Sequence, residues 1–353
     1  MPQFGTLSVL EDLASWTNES VINNEEEVAR RFGEALAVHN ALFEDMASDY
    51  ATFTSAPMLP YGGSDAAIMQ ELDEWGAADA SKSGDFGNLG LPLRIYGSTV
   101  QWTRTAFENM SVAELAAQMD AHATADIRNF YAILRRVLFT NTNTSGYVDR
   151  LQSKLTYDLK ALLNADGSAI PASPNGTTFD GSTHTHYSGS ASLTQAALIA
   201  LIENVVEHGV GGTVQVHISK ADEATVRGFA DFSPYLDSRV TVLSGVVGTG
   251  QLDVSNPDNR AIGVLGGAEV WVKPWVPANY QIAVDVGGSE KPLAIRTRTG
   301  SLTGSGAFRI VAEHEHYPLR ARNLGREYGV GVVGRHKAAV QFSDGSAYEI
   351  PSF

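Results

Sequence analysis

Residues 111–139 read SVAELAAQMDAHATADIRNFYAILRRVLF, and this stretch decides what kind of molecule the chain can build. Ser111 and Glu114 have the S-x-x-E spacing of a capping box. In that motif each side chain accepts a hydrogen bond from the other residue's backbone N–H. Behind it, Leu115, Met119, His122, Ile127, Phe130, Ile133, Leu134, Val137 and Leu138 recur at helical spacing. Neither glycine nor proline interrupts the run before Phe139. At 1.5 Å per residue it predicts a rod roughly 40 Å long, about twice the usual globular helix or more. Such a rod suits the backbone of a flat lobe.

Toward the N-terminus, residues 91–103 contain strand formers (Leu93, Ile95, Val100, Trp102) and read as the return arm of a long hairpin. Its tip is Gly76–Gly90, polar and glycine-rich, and its first arm lies around Met69–Trp75. A tip this long is a liability in a compact monomer but can rest on a neighbour in an assembly. Residues 47–68 hold Pro57, Pro60, Gly62 and Gly63 and read as a connecting segment. Asn24, followed by Glu25–Glu27 and by Val28, Phe32, Ala35, Leu36, His39, Leu42, Phe43 and Met46, predicts an amphipathic helix. Residues 1–23 read as an extended arm.

Toward the C-terminus, Val148–Leu163 carries a second helical pattern, and residues 164–190 form an irregular surface excursion rich in Gly, Ser, Thr, Pro and Asn. Ser192–His208 predicts a helix closed by Gly209. Val214–Ile218, Ala261–Val272, Tyr280–Val286, Phe308–Ala312 and Tyr328–Phe342 read as strands. The sequence thus predicts an α+β chain of 353 residues in two or three lobes. With 43% hydrophobic and 18% charged residues it can bury a core.

The composition excludes several classes. There is no cysteine, hence no disulfide and no thiolate ligand or nucleophile. No apolar run is long enough to span a membrane, and the N-terminus lacks the pattern of a secretory signal. Residues 1–120 carry 19 acidic and 5 basic side chains, and the remainder 21 and 20. An acidic front third argues against sequence-independent binding to nucleic acid; it reads first as a solubilising charge, and alternatively as a surface that faces packed DNA without sticking to it.

No constellation carries catalysis. A G-x-S-x-G elbow, a G-x-G-x-x-G run and a phosphate loop are all absent. His184 with His186, and His314 with His316, have the x-y-x spacing that puts two imidazoles on one strand face. A metal would need further ligands from elsewhere. Both pairs are therefore read as ordinary loop and strand histidines, with no metal and no cofactor assigned. A metal-dependent hydrolase built on them is the alternative from another class. The cluster Arg320, Arg322 and Arg326 suits an acidic segment of another subunit better than phosphate.

The order of arm, helix, polar-tipped hairpin, long helix and mixed lobe resembles the major capsid proteins of tailed double-stranded DNA phages. Their fold is shared with encapsulins and the herpesvirus capsid floor. Gln101-Trp102-Thr103-Arg104 running into the Ser111 helix is similar to the family's strand-to-spine passage. Ile262–Val272, then Pro274, Pro277 and Gln281–Asp285, is similar to its strand, proline turn and strand. Arg326–Val340 is similar to its final strand pair, with His336 where proline is common.

The resemblance implies an N-terminal arm (1–23), an N-terminal helix (24–50), a connecting segment and E-loop hairpin (51–103), and a peripheral (P) domain with its spine helix (104–150). An axial (A) domain (151–300), a return through the P domain (301–330) and a C-terminal strand and tail (331–353) follow. It also implies hexamers and pentamers in an icosahedral virion shell, assembled in the host bacterial cytoplasm around double-stranded DNA without sequence-specific contacts. A separate scaffolding protein and a portal would be partners; an encapsulin-type nanocompartment is the alternative of the same fold. Asp79, Lys82, Asp85, Arg94, Arg320, Arg322 and Arg326 are the expected inter-subunit residues. Some members join a hairpin lysine to a neighbour's asparagine with help from a glutamate. Lys82 and Glu327 match that set, Asn323 does not match its spacing, and no crosslink is expected.

Overall fold

The computed structural model describes residues 21, 24–62, 71, 72, 74, 76, 87–152, 154–209, 212–235, 242, 243, 246, 247, 259–298 and 306–353. The chain runs through α1 (Glu25–Ser48), β1 (Ala51–Thr54), β2 (Met58–Tyr61), β3 (Gly87–Gly90), β4 (Arg94–Thr103), α2 (Arg104–Asn109) and α3 (Val112–Phe139). It continues through β5 (Thr144–Asp149), β6 (Leu155–Leu159), β7 (Tyr187–Gly189), α4 (Gln195–Val206), β8 (Val214–Ile218), α5 (Glu223–Arg227) and β9 (Ser233–Pro234). Then come β10 (Val242–Leu243), β11 (Val246–Val247), β12 (Arg260–Leu265), β13 (Ala268–Val272), β14 (Tyr280–Asp285), β15 (Leu293–Arg296), β16 (Arg309–His316), β17 (Leu319–Val332) and β18 (Ala338–Phe342).

The long helix forms as its sequence predicts. The Ser111 N–H donates to Glu114 Oε2 at 2.9 Å and the Glu114 N–H donates to Ser111 Oγ at 3.3 Å, so both halves of the capping box are made. The helix has 28 residues, about 42 Å at 1.5 Å per residue. On its inner face Phe130, Leu134, Leu138 and Phe139 are at most 1% exposed, each contributing about 1.5–3 kcal/mol through burial. Helix α1 crosses the same face, where the Phe43 and Phe130 rings lie 4.8 Å apart edge to face.

Two sheets share this core. A five-stranded sheet has the order β1-β15-β17-β16, with β4 also paired to β17; a seven-stranded sheet runs β7-β18-β14-β8-β13-β12-β9. Strand β17 is the hinge of the design. Its first ten residues pair with β4, and its last four, Gly329–Val332, pair with β15. Side chains from both sheets (Tyr328, Val330, Ile282, Val340) meet Phe130 and Leu138 of α3 in one cluster. Helix α4 covers the other face of the seven-stranded sheet, packing Leu198, Leu201, Ile202 and Val205 against Val216, Val270 and Ala339. Among the described residues no helix is long and apolar enough to cross a membrane.

The structure departs from the sequence reading in four places. Val148–Leu163 is not a helix but the β5–β6 hairpin, with Tyr147 opposite Tyr157. Its apolar spacing fits either state, and β-branched and aromatic residues opposite one another stabilise the sheet. Residues 47–68 are not only a connection, since they hold β1 and β2. Pro60 sits in β2, whose only partner among the described residues is β3; an edge position tolerates the missing N–H. The last four residues of the expected hairpin tip, Gly87–Gly90, are strand β3, paired with β2; β4 pairs with β17, and the expected first arm and the rest of the tip fall largely outside the described residues. Ala261–Val272 is two strands, not one. Gly266 and Gly267 have φ of +58° and +83°, the pair of positive values that a tight two-residue hairpin turn requires and glycine supplies.

His217, on β8, is fully buried. Its Nε2–H donates to Gln215 Oε1 (3.1 Å) and its Nδ1 accepts from the Tyr50 hydroxyl (3.2 Å), so the neutral ring is satisfied on both sides. Burial, and then the nearby Lys273 charge, hold its pKa well below the ordinary 6.5. At pH 7 the ring is neutral both folded and unfolded. Below pH 6.5 only the unfolded chain takes up the proton, so stability falls with pH by up to about 1.4 kcal/mol per unit for each such group. Urea denaturation of dissociated subunits between pH 7 and pH 5 should show this slope, and His217→Gln should flatten it. An unchanged slope in the variant would remove His217 from the account.

Candidate functional site

In this chain the decisive geometry is the root of the long hairpin. Strands β2 and β3 pair from Met58↔Gly90 to Tyr61↔Gly87, and the Leu91 N–H donates to the Pro57 carbonyl at 2.9 Å. Residues 91–93 then cross β17. Leu91 and Leu93 are buried, and the Leu91 carbonyl accepts from Arg296 Nη1 at 2.7 Å. The same Nη1 meets Asp149 Oδ2 at 2.7 Å and the Tyr157 hydroxyl at 3.2 Å. Arg296 and Asp149 are at most 1% exposed. The Tyr157 hydroxyl lies 2.8 Å from the Leu91 carbonyl and 2.9 Å from Asp149 Oδ2. Burial, together with the Asp149 carboxylate, raises its pKa, so it remains a donor. One knot therefore ties the hairpin root, the β5–β6 hairpin and β15 together.

Of the expected inter-subunit residues, Asp79, Lys82 and Asp85 lie outside the described residues. Arg326 does not face outward: it is 1% exposed, its guanidinium carbon lies 3.6 Å from the Phe43 ring centroid, and its Nη2 donates to Asn40 Oδ1 at 2.7 Å. Asp126 Oδ2, which also meets His39 at 2.9 Å, is 3.2 Å from the same nitrogen. This group clamps α1 and α3 onto β17. Arg322 is likewise buried, its Nε 2.7 Å from Glu313 Oε1 across the strand pair. The charges of these two are thus matched within the chain, by Asp126 and Glu313. Arg320 stacks 4.3 Å from the Phe107 ring centroid and is partly exposed; Arg94 is exposed and lies 6.0 Å from the Tyr147 ring. Glu327 is buried beside Arg298 at 3.0 Å, and Asn323 accepts from the Thr99 hydroxyl at 2.7 Å.

The histidine pairs part company. His314 and His316 stand exposed on β16. His184 and His186 converge with Glu207 and His208, just beyond α4, into one cluster. His208 Nε2 lies 3.0 Å from His184 Nε2 and 3.1 Å from His186 Nε2. The sequence reading missed Glu207 and His208, which stood out there only as the end of a helix. The Arg296–Asp149–Tyr157 knot was missed because its two latter members lay in a stretch read as helical.

No family model matches the sequence, and no curated protein does. A solved structure from Mycobacterium phage Patience superposes with a TM-score of 0.66 at 22% identity, covering 91% of this chain and 88% of that one. The fold is the tailed-phage major capsid fold. The cyanophage A-1(L) capsid asymmetric unit (15% identity, 85% and 92% of the two chains, TM-score 0.47) is a remoter similarity. So is the holo-SrpI encapsulin complex of Synechococcus elongatus PCC 7942 (11%, 86% and 88%, 0.44). Neither carries any part of the argument.

Proposed function

We propose that the chain is the major head subunit of a tailed double-stranded DNA phage. Copies close into an icosahedral shell of hexamers and pentamers around the genome, with no chemistry of their own. The observation that carries this reading is the agreement of the fold over 91% of the chain with a phage structure. A second feature supports it. On the β4–β17–β16 ribbon, Ile95, Val311, Tyr317 and Leu319 are 55, 41, 80 and 43% exposed. Ile95 and Val311 stand toward one end of the ribbon and Tyr317 and Leu319 at the other; a second copy of the chain would cover each pair. A scaffolding protein, a portal and host-cytoplasmic assembly belong to the same proposal.

Shell function asks for several interfaces of about 1,200–2,000 Å² each, which act together once a neighbour is held nearby. Arg94, exposed on β4, and Arg320, partly exposed on β17, are the proposed contacts of the acidic hairpin tip, Asp79 and Asp85, of an adjacent copy. Lys82 sits in the same tip, and non-covalent contact is proposed for it. The variant Arg94→Glu/Arg320→Glu should lose shells while its subunits keep the wild-type Tm within a few degrees. Sedimentation checks this: wild-type protein should run far ahead of a 37.7 kDa monomer and the variant with it. A wild-type boundary at monomer mass under all conditions, or normal shells from the variant, would contradict the reading.

A further inference from the structure

The cluster of His184, His186, Glu207 and His208 has no part in the shell contacts above. It joins two distant pieces of chain. His184 and His186 close the 164–186 excursion, where the His186 N–H donates to the Leu163 carbonyl and its own carbonyl accepts from the Val340 N–H. Glu207 and His208 follow α4. All four ligand atoms lie within 4.8 Å of one another.

The ring nitrogens define the problem. His186 Nδ1 lies 2.7 Å from the Ala338 carbonyl and His208 Nδ1 lies 3.4 Å from the Pro171 carbonyl. A carbonyl only accepts, so both Nδ1 atoms carry the proton and both Nε2 atoms present lone pairs. Those lone pairs point at each other across 3.1 Å. His184 Nε2, 3.0 Å from His208 Nε2, can donate one proton to one of them, which leaves the other pair uncompensated. Glu207 Oε1 lies 3.4 Å from His184 Nε2 and 3.7 Å from His208 Nε2, and it is shut off from solvent with no hydrogen-bond partner. Two imidazole lone pairs and a carboxylate oxygen thus converge on a point where, among the cluster's own groups, His184 Nε2 alone could donate, and it can serve only one of them.

We propose that His184, His186, His208 and Glu207 bind a divalent transition-metal ion of the zinc class as a structural staple of the A domain. Ligands about 2.0–2.1 Å from a tetrahedral zinc sit about 3.3 Å from each other, close to the separations already present. The carbonyls behind His186 and His208 fix the tautomers, as outer partners of metal-bound histidines do. Four protein ligands leave no open position for water, so the ion holds the fold together and performs no hydrolysis. It would pin the 164–186 excursion to the end of α4 beside β18. Partial exposure of His184 and Glu207 gives the ion a way in.

The test uses untagged full-length protein, stripped with EDTA and reloaded with zinc or cobalt(II). Elemental analysis should find one zinc per chain after dialysis. The cobalt form should show the visible absorption of a tetrahedral site, and Tm should rise on loading and fall again with EDTA. His184→Asn and Glu207→Gln alter partly exposed side chains and should fold without metal, yet bind it about 10–100-fold more weakly. His314→Asn/His316→Asn should bind as the wild type does. No retained zinc in the wild type, or wild-type affinity in both His184→Asn and Glu207→Gln, would overturn the proposal. So would loss of the metal in the His314→Asn/His316→Asn protein.

Discussion

Arg296→Met should destabilise the folded subunit by about 3–5 kcal/mol, the cost of leaving a buried carboxylate without its partner. Arg296 Nη1 serves Asp149, the Leu91 carbonyl and the Tyr157 hydroxyl at once. Methionine fills similar volume but supplies no donor, so Asp149, with no exposure to water, must ionise unpaired or hold a proton. Changing both partners, Arg296→Met with Asp149→Leu, should restore much of the loss, because no lone charge remains. Tyr157→Phe removes only a hydroxyl and should cost about 1 kcal/mol. Urea denaturation of dissociated subunits measures all three. A single-variant loss under about 1 kcal/mol, against the several expected, would show that the knot is not what fixes the hairpin root.

Gly329→Ala should be at least as damaging, about 3 kcal/mol or more, and is expected to yield insoluble protein. A Cβ at this position would lie 1.3 Å from the Pro92 carbonyl oxygen and 2.5 Å from its carbon. Both are backbone atoms of the segment crossing β17, and Arg296 is the residue paired with Gly329, so the crossing cannot move away without breaking the knot. Gly331 repeats the constraint two residues on, with the Gly90 carbonyl 2.9 Å from its Cβ position. Gly33, in α1, has nothing within 4 Å. There Ala should instead stabilise by about 0.5–1 kcal/mol through better helix propensity. Soluble, wild-type-like Gly329→Ala protein would refute the close crossing.

These two results bear on how much of the molecule the sequence displays. The spine helix is legible because capping box and apolar period agree over 28 residues, leaving no competing state. Helices α1 and α4 are legible from their apolar period, although Asn24 makes no side-chain cap and α4 is capped by Thr194. The β5–β6 hairpin is not, since Val148, Leu151 and Leu155 satisfy a helical period while Tyr147 and Tyr157 decide the matter across the sheet. The three C-terminal arginines look alike in sequence. Strand alternation puts all three on one face of β17, where Arg322 and Arg326 are buried against Glu313 and Asp126 while Arg320, near the start of the strand, is only partly covered. Only tertiary pairing distinguishes them. The histidine site was half visible, as a His-x-His pair whose remaining ligands lie more than twenty residues away on another element.

On the proposed shell reading, the hairpin root also links fold to assembly. A hairpin that reaches over a neighbour transmits force only if its base is fixed. Here the base is held by a buried ion pair, a strand pair and two close glycine crossings.

Cryo-electron microscopy of the purified, untagged protein tests the central claim most directly. The account predicts closed shells with five-fold vertices, in which the spine helix lies in the shell wall and the hairpin rooted at residues 58–61 and 87–90 extends over an adjacent subunit. Protein that remains monomeric, or forms only small oligomers with the hairpin folded back on its own chain, would contradict it.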